Sequence, residues 1–208
     1  MKFEEMTVGA FINELGSDSP APGGGSVAAL CGSLGAALTV MVGCLTTGKE
    51  KYKENWEKAD MLIKDGKALQ NRFVTLMNED TESFDVFMTA LKMPKATEEE
   101  KAARREAMEN AAKGATLVPL TTLETCVKLA TYADEAAKYG NPNALSDAGV
   151  ASLLAIAGAK AASYNVRINL PGVKDQTFVK ECTERMEAAL AEIEKHYPKA
   201  VEDTLSGK

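Results

Sequence analysis

The sequence predicts an all-α fold, a single helical-bundle domain with long helices over residues 1–208. Three observations carry this. Apolar residues recur at steps of three and four, while strict two-residue alternation never lasts more than a few positions. No proline occurs from about Lys53 to Met93, long enough for one uninterrupted helix. No internal repeat is detectable, and 208 residues suffice to bury a full core.

Five or six helices follow in order. Thr7 caps a short first helix that ends at Gly16, and 17–22 is a loop leading into an uncharged helix from about Gly25 to Thr47. The longest element then runs to Met93, where Pro94 stops it. Thr97 and Glu100 form a capping box that opens the next helix, which Pro119 must kink or divide before Gly140-Asn141-Pro142 ends it. Ser146 caps the following helix, which gives way to an irregular segment over 165–175 with a turn at Pro171-Gly172. A last amphipathic helix reaches about His196, and the tail beyond Pro198 is expected to fray.

Composition narrows the function classes. The 24 basic against 30 acidic residues give a net charge of -6, with no basic stripe to neutralise a run of phosphates, so nucleic acid is not an expected partner. Cys31, Cys44, Cys126 and Cys182 are far apart, lie in apolar stretches and form no CxxC pair, and they read as buried thiols of a reducing compartment. The first five residues carry acids where a secretory signal carries bases, so a cytoplasmic location is expected. From Ser19 to Gly48 there is no charged side chain, enough to span a bilayer. It lacks flanking bases and aromatic belts, however, and a second charge-poor stretch at 148–159 can bury it inside a soluble bundle, so no membrane is expected.

Three places can carry chemistry. The seam of the long helix runs Ala59, Ile63, Gly66, Gln70, Phe73, Met77, Asp80, Phe84, Phe87, Leu91, and eight of these ten are non-polar. Asp80 therefore faces inward, where desolvation raises a carboxyl's pKa unless donors or a cation hold it ionised. The alternative is a structural ion pair with a buried Lys or Arg. Second, Gly23, Gly24, Gly25 and Ser26 open a helix and leave its first N–H groups free to receive an anion or carboxylate. They match neither the dinucleotide nor the phosphate-loop fingerprint, and the plainer reading is a tight turn with Ser26 near the cap. Third, a polar cluster gathers Asn141, Asn143, Ser146 and Asp147 with Asn165, Arg167 and Asn169. In it Asp147 is an ordinary first-turn charge, while Arg167 sits among Val166, Ile168 and Leu170 and can pair with Asp80 or clamp a substrate carboxylate. The single histidine, His196, lies in a charged helix, which removes a histidine triad or a two-histidine metal site, and no metal site is expected.

The run Ser19-Pro20-Ala21-Pro22-Gly23-Gly24-Gly25-Ser26-Val27-Ala28-Ala29-Leu30 resembles the signature of the formiminotetrahydrofolate cyclodeaminase and methenyltetrahydrofolate cyclohydrolase family. Glu79-Asp80-Thr81 with Phe84, Leu91-Lys92-Met93-Pro94-Lys95, Val118-Pro119-Leu120, Gly140-Asn141-Pro142-Asn143, Ser146 to Val150 and Asn165 to Asn169 agree in order and spacing, from near residue 7 to about 175.

The resemblance implies an all-helical homodimer, without a tightly bound cofactor, acting on a tetrahydrofolate derivative as substrate. It implies Asp80 as the acid-base residue, with Lys95 and Arg167 as charge-holding catalytic candidates. Gly23, Gly24, Gly25, Ser26, Asn141, Asp147 and Asn169 are the substrate-binding candidates. The stand-alone chain implies a separate formiminotransferase as a possible partner. Cyclodeamination is the first expectation and methenyl hydrolysis the alternative. A non-catalytic helical scaffold is the competing reading from another class.

Overall fold

The structure is a computed structural model that describes residues 2–207; the two ends of the expected 1–208 domain lie outside it. It contains seven α-helices, α1 (Val8–Leu15), α2 (Gly24–Thr46), α3 (Trp56–Leu91), α4 (Glu98–Tyr139), α5 (Leu145–Asn169), α6 (Gln176–Ile193) and α7 (Lys199–Leu205), with short 3-10 turns in four of the connections and no strand among the described residues. The helix starts follow local chemistry. The Thr7 hydroxyl accepts from the Ala10 amide (3.1 Å), Thr97 and Glu100 close a reciprocal capping box, and the Asp175 carboxylate accepts from the Thr177 and Phe178 amides (both 3.1 Å).

Helix α2 is the hub and packs against α3, α4 and α5. Its uncharged sequence allows this because the small residues Ala28, Ala29, Gly32 and Ala36 are fully or almost fully buried and let neighbouring axes approach closely. Phe73, Leu76, Leu120, Leu123 and Leu129 fill the core around them, each wholly inaccessible to solvent. A smaller cluster of Val42, Leu62, Ala136, Ala144 and Ala148 closes the other end. The two charge-poor stretches bury one another as expected: Gly35 lies against the Ala151 carbonyl and Leu154, and Gly158 against the Ala28 carbonyl. Gly24–Thr46 and Pro142–Gly172 are each long and apolar enough to cross a membrane, with 18-residue stretches of mean hydropathy 2.0 and 1.3, yet about half of each stretch (50% and 44%) is buried inside the bundle.

Several expectations are corrected. Pro119 does not divide its helix; α4 runs unbroken from Glu98 to Tyr139 with Pro119 buried. Helix α5 continues to Asn169, so Asn165, Arg167 and Asn169 are helical, and only a 3-10 turn over Leu170–Gly172 separates it from α6. Ser146 caps nothing, because it lies inside the first turn of α5; Asn141 instead caps the preceding 3-10 turn through the Asn143 amide. The tail is ordered as α7, since Val201 is buried against Gly149 of α5. Of the four thiols, Cys126 and Cys182 are buried, Cys31 is half-buried and Cys44 is exposed.

Gly32 marks the tightest contact of the core. A β-carbon there would stand 2.3 Å from the Phe73 ring, which is enclosed on all sides. Gly32→Ala is therefore expected to lower stability by about 1–3 kcal/mol through overpacking, read from the urea midpoint. An unchanged midpoint would mean that the ring has room to move.

Candidate functional site

The site lies where the seam of α3 leaves the core. Ala59, Gly66, Phe73 and Met77 are buried, but after Met77 the seam emerges, and Asp80, Phe84 and Phe87 line a cavity of about 340 Å³. The glycine turn before α2 forms one wall, with Pro20, Ala21, Gly23, Gly24 and Gly25. Ala112 and Ala115 of α4 form another, and Asn165, Ile168 and Asn169 of α5 complete it. This size is in the range of small-molecule pockets, and the lining is apolar with a few convergent polar groups.

Asp80 and the glycine turn belong to one device. The Ser26 hydroxyl donates to Asp80 Oδ2 (2.9 Å), the nearby Ser26 amide also favours the charged carboxylate, and a β-carbon on Gly25 would fall 2.1 Å from Asp80 Oδ1. The first turn of α2 does receive a carboxylate, but that carboxylate is the protein's own. The positive end of the α2 dipole points at it. Among the described residues no Lys or Arg pairs with Asp80, so the structural ion pair weighed from sequence is not what holds it. Burial outweighs the opposing effects of the Ser26 hydroxyl and amide and raises the Asp80 carboxyl above its ordinary value.

Asn169 has a structural task as well as a place in the cavity. Pro119 has no amide hydrogen to offer the carbonyl one turn back, that of Ala115. The Asn169 side-chain amide donates to that carbonyl at 2.6 Å. This bond lets α4 pass through a proline unbroken and fixes the end of α5 against α4. The Glu109 carboxylate, which accepts from the Lys174 and Asp175 amides, ties down the segment that follows.

Other expected site residues are not brought here. Asn141 is buried at the opposite end of α2, roughly 30 Å away at 1.5 Å per helical residue, where it bonds Thr46, Leu45 and Tyr52. Asp147 lies at that same end, in the first turn of α5. Lys95 is exposed in the connection between α3 and α4. Arg167 is exposed and lines a separate hollow with Leu170, Pro171 and Val173, because a helical α5 turns it away from Asn165 and Asn169. The structure thus joins Asp80, the three glycines, Ser26 and Asn169, and leaves Lys95, Arg167, Asn141 and Asp147 outside. Asn165 of the polar cluster and Phe84 and Phe87 of the seam are here too, and the structure adds Thr81 and the apolar wall of Ile168. The signal for the two phenylalanines was present in the seam, as its last aromatic steps beyond a buried acid.

The sequence profile of the formiminotransferase-cyclodeaminase family matches residues 7–188. The chain belongs to that family. A methenyltetrahydrofolate cyclohydrolase of Methylorubrum extorquens is 41% identical over 186 residues, 89% of either chain. The formimidoyltransferase-cyclodeaminase of Sus scrofa is 36% identical over 88% of this chain, which spans only 34% of that longer protein. The crystal structure of formiminotetrahydrofolate cyclodeaminase from Thermotoga maritima superposes with a TM-score of 0.86 at 29% identity, covering 98% of both chains. The all-helical fold expected from sequence is therefore shared with a family member, as is the overall length.

Two predictions follow from this geometry. Because the folded Asp80 carboxyl is raised, its stabilising contribution is complete below the ordinary value near 3.8 and is lost as pH rises through the folded value. Asp80→Asn, which can still accept from Ser26, should melt at or above the wild-type temperature at neutral pH, with the difference closing in acid. A lower melting point for the variant at neutral pH would contradict this. Separately, Asn169→Ala should lose about 1–2 kcal/mol by baring the Ala115 carbonyl, and much less in a Pro119→Ala background that restores the amide. Additive effects in that double-mutant cycle would sever the proposed link.

Proposed function

We propose that this chain is a tetrahydrofolate one-carbon enzyme, a formiminotetrahydrofolate cyclodeaminase that converts 5-formiminotetrahydrofolate to 5,10-methenyltetrahydrofolate and ammonia. The observation that carries the reading is Asp80: a cavity-lining carboxylate that accepts from the Ser26 hydroxyl, with no cationic partner among the described residues and a raised carboxyl. Both the protonated formimino group and the methenyl product are cations at the reacting carbon, so the substrate supplies the positive charge that the site lacks.

The chemistry needs one group to move a proton between two nitrogens. N10 attacks the amidinium carbon, forming a C–N bond and a tetrahedral centre between N5 and N10. The Asp80 carboxylate takes the N10 proton and delivers it to the exocyclic amino group, whose C–N bond then breaks to release ammonia and leave the methenyl cation. A carboxyl raised towards neutrality serves both halves better than an ordinary one. Phe84, Phe87 and Ile168 provide apolar walls for the pterin, while Asn165 and Asn169 lie among its polar neighbours.

A second reading is favoured by the 41% identical relative named methenyltetrahydrofolate cyclohydrolase. There water adds to the methenyl carbon, a proton is released, and the N5–C bond opens to give 10-formyltetrahydrofolate. Asp80 would act as the base towards water. The animal relatives named formimidoyltransferase-cyclodeaminase pair the two activities in one longer protein, which fits a formiminotransferase reaction as the source of this substrate.

Supplied with 5-formiminotetrahydrofolate, the purified protein is expected to build methenyl absorbance with one ammonia per turnover, and Asp80→Asn to lower kcat by about 10²–10⁴-fold. No acceleration over background would sink the cyclodeaminase reading. Accelerated hydrolysis of 5,10-methenyltetrahydrofolate in the same preparation would establish the second reading instead.

A homodimer belongs to the same proposal. Leu34 and Leu45 of α2 and Val150 and Leu153 of α5 are 37–51% exposed, on helices whose outer face in α2 carries no charge at all. Light scattering is expected to give twice the chain mass for the wild type and the single-chain mass for Leu34→Glu. A monomeric wild type at working concentration would overturn this.

A further inference from the structure

Threonines on the helices of this chain have a habit. Their hydroxyls bond the carbonyl one turn back: Thr39 to Gly35, Thr89 to Asp85, Thr116 to Ala112 and Thr125 to Thr121, at 2.6–3.0 Å. Thr81 breaks it. Its residue lines the cavity beside Asp80, yet its hydroxyl oxygen is shut off from solvent and has no hydrogen-bond partner among the described residues. A buried hydroxyl without a partner is disfavoured in a folded protein and asks for an explanation. The Met77 carbonyl one turn back would satisfy it, as in the four cases above, so the unmet bond is not forced by helix geometry.

We propose that Thr81 orients the substrate: its hydroxyl receives its missing partner from a polar edge of the pterin bound over Asp80. This rests on the folate reading above. Threonine on a helix occupies two χ1 wells, and turning between them moves the hydroxyl without disturbing the backbone. Thr81 follows Asp80 directly on α3, so a ring held by its hydroxyl is fixed relative to the carboxylate by the helix itself. A loop residue would position the ring less firmly. The cavity has few other polar side chains to choose from, since Ser83 donates to the Asp80 carbonyl and the side-chain amides of Asn165 and Asn169 donate to Ala161 and Ala115.

The test compares wild type, Thr81→Val and Thr81→Ser in three measurements: melting without ligand, heat protection by 5-formiminotetrahydrofolate and by 5,10-methenyltetrahydrofolate, and kcat/KM for either. Valine keeps the shape and removes only the unpartnered hydroxyl, so its unliganded melting temperature should equal or exceed that of the wild type. Its folate protection should shrink and its kcat/KM fall about tenfold, with serine restoring both. Wild-type protection and kcat/KM in Thr81→Val would overturn the role of Thr81 while leaving the enzyme reading intact. A loss that serine fails to restore would assign the residue to packing and equally overturn it. A wild type that neither turns over nor is protected by either folate would remove the functional reading, and this inference with it.

Discussion

The structure depends on how closely α2 and α3 approach. The two helices run antiparallel in a register set by glycine: Gly25 faces Asp80, Gly32 faces Phe73, Gly66 faces Val40, and Gly43 faces Leu62 and the Ala59 carbonyl. Each step along α2 is matched by a similar step back along α3, so one register fixes all four contacts. With β-carbons at these positions the axes would separate, the Phe73 ring would lose its seat, and the Asp80 carboxylate would lose the amide and hydroxyl of Ser26. Packing deep in the core thereby determines the geometry at the cavity. A sequence with an ordinary leucine-rich α2 could build a bundle but could not bring a carboxylate onto the start of that helix.

The same contact places opposing demands on Asp80. The end of α2 and the Ser26 donors favour its charge, whereas burial and the absence of a cation disfavour it, and burial prevails. A salt bridge would have made the carboxylate more comfortable and less useful, because a group pinned in its charged form makes a poor proton donor. The chain carries enough cations to have done so, and Arg72 and Arg185 pair instead with Glu79 and Glu124 elsewhere on the surface. Leaving Asp80 unpaired is a property of the site rather than a shortage of partners.

Most of the fold was legible because its rules are local. Caps at Thr7 and Thr97, the stop at Pro94 and the three-four seam each depend on residues within a few turns. Asp80 and the glycine turn were legible for the same reason, though not that one would seat the other, since that contact joins residues 54 apart. The failures have specific causes. Asn141 and Asp147 were grouped with Asn165 and Asn169 by polarity and proximity in sequence, but a straight helix between them sends them to opposite ends of the bundle. Arg167 stands among apolar neighbours in the sequence, whereas on a helix Val166 and Leu170 face inward while Arg167 and Ile168 face outward. The tail after Pro198, expected to fray, is held as α7 by Val201, whose seat at Gly149 is invisible locally.

Pro119 shows how such exceptions converge. Read locally, it must kink or divide α4, and the sequence holds nothing nearby to prevent the division. The partner that prevents it, Asn169, is remote in sequence and itself stands at the cavity wall, as does the carbonyl it serves at Ala115. The cavity thus gathers an acid without a cation, a helix start made of glycine, a carbonyl freed by proline and a threonine without a partner. Each is a departure from what would best stabilise a plain bundle. Their meeting in one place is what distinguishes a site from a set of tolerated flaws. The competing scaffold reading accounts for the apolar faces of α2 and α5, but it gives no reason for these departures to share one cavity.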